Sequence, residues 1–189
     1  MTDQTSFSSP TPLPPPQLDE DRLSWLRLLR SRRVGVATFY RLMAEHGSAG
    51  AALAALPGVA AAAGVTDYSP TDESRAQIEM RAAARFGARM ICRGEPDYPA
   101  ELDRIDDAPP LIWARGDLAQ LRRPMVAMVG ARNASSLGER TARMLAGALG
   151  EAGYVVVSGL ARGIDGAAPG AALETGTVAV VGGGVGVIY

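Results

Sequence analysis

Two stretches of this sequence set arginine and hydroxyl groups among glycines, a combination suited to holding phosphate, and a third is a bare glycine loop. The first is Val129-Gly130-Ala131-Arg132-Asn133-Ala134-Ser135-Ser136-Leu137-Gly138. Gly130 permits a sharp turn, the small neighbours leave backbone amides accessible, and Arg132 adds a fixed positive fork at a helix start. The dinucleotide fingerprint G-x-G-x-x-G is absent, so the run predicts a phosphate site of another kind. A structural turn accounts for Gly130 but hardly for an arginine amid small residues. The second stretch, Ser158-Gly159-Leu160-Ala161-Arg162-Gly163-Ile164-Asp165, repeats the logic. Ser158 and the Gly159 backbone can donate to a phosphate, with Arg162 supplying charge and Gly163 the turn. Asp165 reads as a helix cap or a clamp on Arg162 rather than as a chemical group. The third, Gly182-Gly183-Gly184-Val185-Gly186, is a flexible loop in which Gly183 and Gly184 could let a ligand approach closely.

Other chemistries have little to work with. The single cysteine, Cys92, excludes an internal disulfide framework and a cysteine metal cluster, and the single histidine, His46, leaves little for a Ser–His–Asp or zinc site. His46 precedes Gly47, where a helix should end, and reads as solvent-facing or capping. No catalytic residue, metal or cofactor is expected. The formal net charge of −1 gives no global attraction to nucleic acid, so any such binding depends on local placement. Every one of the 19 basic residues is arginine. That bias is ordinary for an alanine- and arginine-rich composition, yet it suits bidentate phosphate contacts.

The elements that must position these groups follow from periodicity. Residues 1–18, with Pro10, Pro12, Pro14, Pro15 and Pro16, read as a disordered or polyproline-like tail. Asp19, Glu20 and Asp21 open a first helix with Leu23, Leu26 and Leu29 on one face, widened by Trp25 and Leu28. Val34-Gly35 turns into a second helix through Phe39, Leu42 and Met43, and a third runs from Ser48 to Leu56, stopped by Pro57-Gly58. Helix, tight turn, helix is the outline of a helix-hairpin-helix, in which Arg32, Arg33 and Arg41 could meet DNA. Lacking the glycine-x-glycine hairpin, the module reads more readily as packing. A fourth helix is expected from a Ser69 cap and Pro70, with Ile78, Ala82, Ala83 and Phe86 inward and Gly87 at its end.

Ala88–Cys92 and Leu111–Ala114 read as short strands. From Pro124 onward strand, helix, strand, helix, strand alternate: Met125–Val129, Leu137–Ala152 with Leu145, Ala148 and Leu149 inward, Tyr154–Val157, Ile164–Glu174 and Thr177–Val181. Continuous apolar strands joined by helices predict a parallel sheet, with ligands at the strand ends. The expected class is α/β. A small helical domain spans residues 19–87 and a Rossmann-like domain residues 88–189. Met1 to Leu18 lacks the basic start and apolar run of a secretory signal, and no uninterrupted apolar run of about 18 residues occurs. A cytoplasmic location is expected.

The order of Pro96-Asp97-Tyr98-Pro99, Pro109-Pro110-Leu111, Arg115-Gly116-Asp117-Leu118, Val129-Gly130-Ala131-Arg132 and Ser158 to Asp165 resembles the DNA-processing protein A (DprA/Smf) family. The resemblance runs from Asp19 to Tyr189, and Ser-Gly-Leu-Ala-Arg-Gly-Ile-Asp is its most specific run. It implies a SAM-like or helix-hairpin-helix-like leading domain and a Rossmann-like domain that binds single-stranded DNA without sequence preference. It also implies loading of the RecA recombinase during natural transformation, a homodimer in the complete fold, and no membrane. Arg132 then matches the DNA-contacting arginine, with Gly130, Ala131, Ser158, Gly159, Arg162 and Gly163 around it. Two departures stand out: Ala168-Pro169 replaces the usual Ala-His pair, and Val185-Gly186 replaces the usual Gly-Leu-Asp. The family's sheet continues beyond the three strands read here, so the Rossmann-like domain reads as incomplete at its C-terminal end. Two competing readings are a Rossmann-like hydrolase of nucleotide phosphates, similar to phosphoribohydrolases in its glycine loop, and a truncated remnant with little activity.

Overall fold

The computed structural model describes residues 14–186, so most of the expected proline-rich tail lies outside the described residues. Two compact units emerge. One comprises the segments through Gln77, Cys92–Pro96 and Asp107–Leu111; the other comprises Ile78–Ile91, Asp97–Asp106 and the chain from Ile112 onward.

In the first unit, α1 (Asp19–Arg30), α2 (Val36–His46) and α3 (Ala49–Ala62) pack together. Asp21 Oδ2 accepts the Leu18 amide at 3.2 Å, satisfying a donor that the helix start would leave open. Trp25, Leu26 and Leu28 of α1 meet Phe39, Leu42 and Met43 of α2 in the core, where Trp25 and Phe39 lie edge to face at 5.2 Å. Gly47, at φ +76°, closes α2 in the left-handed conformation, as the sequence predicts. The expected stop at Pro57-Gly58 does not occur, because α3 continues to Ala62. Proline fits helical φ and removes one amide, while the alanine-rich run after it restores a good helix former.

The fourth helix, α4 (Glu73–Arg85), begins later than Ser69-Pro70 suggest. The cause is Thr71. Its amide donates to Ser31 Oγ at 3.0 Å, its hydroxyl donates to the Arg30 carbonyl at 2.8 Å, and its carbonyl accepts Arg27 Nε at 3.1 Å. These bonds hold the segment against the end of α1, and the first helical carbonyl is that of Asp72. Ile78 and Phe86, expected inward, are exposed, and Ala76 is the buried residue of α4.

The strands β1 (Arg89–Cys92) and β2 (Leu111–Ala114) form a two-stranded sheet. Cys92 is fully buried, and burial first, with the Glu95 carboxylate second, pushes its thiol up to about 12. A four-residue helix, α5 (Ala100–Asp103), follows the connector that holds Asp97. Asp97 accepts hydrogen bonds from Arg122 and, at 2.7 Å, from Arg89. Those two guanidiniums hold its carboxyl below the usual carboxylate range.

The parallel sheet has the order β3 (Met125–Ala127), β4 (Val155–Ser158), β5 (Thr177–Ala179). Val126 pairs with Val156, and Val156 with Thr177. The crossover helices α6 (Ser136–Glu151) and α7 (Ile164–Ala171) pack on each other, and Ala146, Ala168 and Ala172 meet Val156 beneath them. The inward residues of α6 are Ala142, Ala146 and Gly150, with Leu149 partly buried; Leu145 and Ala148, expected inward, are exposed. Small side chains face the neighbour because the approach is close: a Cβ at Gly150 would overlap the Thr175 side chain. Pro169 is buried within α7, which ends at Ala171, short of the expected Glu174. At the far end of both helices Arg123 acts as a clasp, donating to the Thr175 carbonyl at 2.6 Å and to the Gly153 carbonyl at 3.1 Å.

Candidate nucleic-acid interface

The loops leaving β3 and β4 at their C-terminal ends are tied into one surface. The Gly130 amide donates to Asp165 Oδ1 at 2.9 Å, and the Ile164 amide donates to the Ala131 carbonyl at 3.2 Å. Ser158, which is buried, donates its hydroxyl to the Asp165 carbonyl at 2.6 Å. Arg162 Nη2 donates to Asn133 Oδ1 at 2.7 Å, crossing from the β4 loop to the β3 loop. Asp165 therefore joins both strand ends. It does so through Gly130 and Ser158, not by clamping Arg162, whose partner is Asn133.

Glycine is required at two of these positions. A Cβ at Gly130 would lie 2.8 Å from the Ile164 side chain. Gly163 sits at φ +89°, and a Cβ there would overlap the Ala131 carbonyl. Leu160 takes φ +55°, a left-handed conformation that costs a side-chain-bearing residue about 1–3 kcal/mol. The loops are thus pressed together and strained beside the open strand ends.

What the arrangement offers to a ligand is positive and unoccupied by internal partners. Ala131, Arg132 and Asn133 are exposed, and their amides donate to no group among the described residues. The Arg132 guanidinium likewise carries no ion pair or hydrogen bond among them. Just beyond, Ser135 Oγ caps α6 by accepting the Gly138 amide at 3.1 Å, so the helix start lies next to the open amides. Successive free amides, a helix start and an arginine together suit an anion. Ser158, read from sequence as a phosphate donor, spends its hydroxyl hydrogen internally instead. Gly183 and Gly184 lie exposed on the loop after β5, with Gly184 at φ +98°.

In the helical hairpin, Arg41 donates to both oxygens of Glu45, at 2.9 and 3.0 Å, and the Arg32 guanidinium lies 5.5 Å from the Tyr68 ring centre. Arg33 stands at the turn with φ +64°. Two of the three hairpin arginines are therefore engaged within the unit.

Residues 89–189 match the family described as DNA recombination-mediator protein A, and residues 19–82 match the DprA-like N-terminal HHH domain. The chain belongs to the DNA recombination-mediator protein A family. It is 46 % identical over 124 residues to the DNA processing protein DprA of Streptococcus pneumoniae, covering 65 % of this chain and 42 % of that protein. Protein Smf of Escherichia coli is 39 % identical over 94 residues, covering 49 % of this chain and 25 % of Smf. The X-ray structure of DprA from Streptococcus pneumoniae superposes with a TM-score of 0.54 at 37 % identity, covering 62 % of this chain and 40 % of that one. The chain thus spans well under half the length of these relatives. A helical leading part followed by a parallel-sheet α/β part agrees with the expected fold class. Among the described residues no group of His, Cys, Asp and Glu could hold a metal ion, and no helix is long and apolar enough to cross a membrane.

Sequence reasoning missed Asn133 as the partner of Arg162, and the Arg123 clasp. Asn133 lay within the first motif, but nothing in its spacing tells which arginine it meets. Arg123 lies outside every motif, preceding β3 by two residues.

Proposed function

We propose that the strand-end loops of β3 and β4 bind the phosphate backbone of single-stranded DNA without sequence preference. Arg132, Arg162 and the amides of Ala131 to Asn133 make the contacts, Gly130, Gly159 and Gly163 give the backbone its close approach, and Asp165 with Ser158 holds the loops in register. The observation that carries the reading is Arg132, exposed and unpaired beside three open amides at a helix start. Membership of a DNA recombination-mediator family supports DNA as the source of the phosphates. Binding of this kind is electrostatic, falls with salt and leaves bases free to stack.

In this reading the helical hairpin of α1 and α2 serves mainly as a packing module, and the loops of the parallel sheet hold the phosphates. The role is binding rather than catalysis, exercised in the cytoplasm. Presentation of the bound strand to RecA, and a homodimer, follow from the family resemblance alone. The test is fluorescence anisotropy with a labelled oligonucleotide across a salt series. Arg132→Ala should weaken binding on every sequence and lower the salt slope by about 0.7, one phosphate's share on a single strand. A folded variant with unchanged affinity removes Arg132 from the site.

A further inference from the structure

The outward stripe of α4 holds groups that the strand-end site does not use. Ile78, Arg81, Ala82, Arg85 and Phe86 follow at steps of three and four, so they share one side of the helix and the residue just past it. All five are exposed, Phe86 by 50 %. Neither Arg81 nor Arg85 has an ion pair or hydrogen bond among the described residues. The opposite side of the helix carries the buried Ala76, and beside the stripe Glu79 accepts Trp113 Nε1 at 2.9 Å.

This stripe adjoins the strand-end loops. Gly186 lies so near Phe86 that a Cβ on it would stand 2.9 Å from the ring. Six residues earlier, the Val180 carbonyl lies 3.8 Å from where a Gly159 Cβ would be. Six residues span at most about 20 Å. One short stretch of nucleic acid can therefore reach both places.

We propose that Phe86 is a stacking platform for a base of the same strand whose phosphates the loops hold, with Arg81 and Arg85 contacting flanking phosphates. The inference rests on the phosphate-site reading above and extends it by a second point of attachment. The occupant follows from charge and chemistry. A half-exposed phenylalanine on the same side of the helix as two arginines without partners among the described residues offers a π face and two cations, which is what single-stranded nucleic acid needs from its binding groove. Because every base has a π face, the contact adds affinity without sequence preference.

The experiment compares a base-bearing oligonucleotide with an abasic one of equal length, by anisotropy on the full chain. Phe86→Leu keeps apolar volume and removes the ring. It should weaken binding of the base-bearing strand by about fivefold or more and leave the abasic strand unchanged. Phe86→Tyr should restore wild-type binding, and Arg85→Gln should lower the salt slope on both strands. Melting curves control for folding. Equal affinity of Phe86→Leu and wild type for the base-bearing strand overturns the proposal, as does an equal loss on both strands. A wild-type chain that holds neither strand sinks the phosphate site as well, whereas intact wild-type binding with no Phe86 effect sinks the stacking platform alone.

Discussion

Asp165 shows how one side chain can settle a loop. Its carboxylate takes the Gly130 amide while its carbonyl takes the Ser158 hydroxyl, so losing the carboxylate frees the β3 loop and leaves the other bond in place. Asp165→Ala should lower stability by about 1 kcal/mol, a partly exposed hydrogen bond's worth, and weaken DNA binding as well. Asp165→Asn keeps an acceptor and should do less of both. Thermal melts and anisotropy on the same samples check this, and equal effects of the two variants would place the role elsewhere. Gly163→Ala should be worse than either. It must strain a backbone at φ +89° and displace the Ala131 carbonyl, so its melting temperature should fall most in the series. Asp97 behaves differently because its contribution titrates. Its carboxyl is held low by Arg122 and then Arg89, so the ion pairs stabilise the fold above the ordinary carboxylate range and are lost as pH falls through the lowered value. Comparing melting temperatures of Asp97→Asn and wild type, the gap should be full near neutral pH and close in acid. A gap that persists in acid would mean the effect is not ionic.

At the scale of elements, the helical hairpin carries its own prediction. With Arg41 paired to Glu45 and Arg32 stacked on Tyr68, replacing Arg32, Arg33 and Arg41 by Gln should leave DNA affinity nearly unchanged. A loss above about tenfold, or roughly 1.4 kcal/mol, would show that the hairpin also grips the strand. The same scale shows what could be read in advance. Element order and the glycine stop of α2 were legible because they depend on local chemistry: apolar period, caps and φ. The inward face of α6 was not, because large apolar residues were expected inside. Close packing on α7 instead selects Ala142, Ala146 and Gly150 and sends Leu145 outward. The start of α4 was lost to Thr71, whose bonds to Arg27, Arg30 and Ser31 are tertiary and leave no mark in the sequence nearby. For the site, glycine and arginine positions were legible as a motif. Which donor meets which acceptor was not, and Arg162 meets Asn133 rather than Asp165 for that reason.

For the whole molecule, the parallel sheet is the feature with most consequence. Side chains alternate along a strand, so in β4 Val156 faces the helices while Val155 and Val157 face the other way, and Val129 and Val180 follow the ends of β3 and β5. Val129 is 75 % exposed and Val180 65 % exposed, and β3 and β5 pair with no further strand among the described residues. Parallel sheets are ordinarily covered on both faces, and open edges recruit other chains. The 189-residue chain should therefore associate at rising concentration in size-exclusion chromatography with light scattering. Val180→Lys should reduce association without lowering the melting temperature. A monomer at every concentration would show the face to be tolerated in water.

The buried sulfur of Cys92 adds a use of another sort. Only a thiolate attacks an alkylating reagent, and with the thiol pushed up to about 12, on the order of one molecule in ten thousand is ionised at pH 8 while the site stays closed. Labelling at that pH consequently counts opening events and little else. Since the chain has one cysteine, each adduct dates the exposure of one known place, the end of β1, with no second thiol to confuse the record. A thiol-reactive dye added with and without oligonucleotide would then report, in real time and in the unaltered sequence, whether holding a strand slows the breathing of a segment distant in sequence from Arg132.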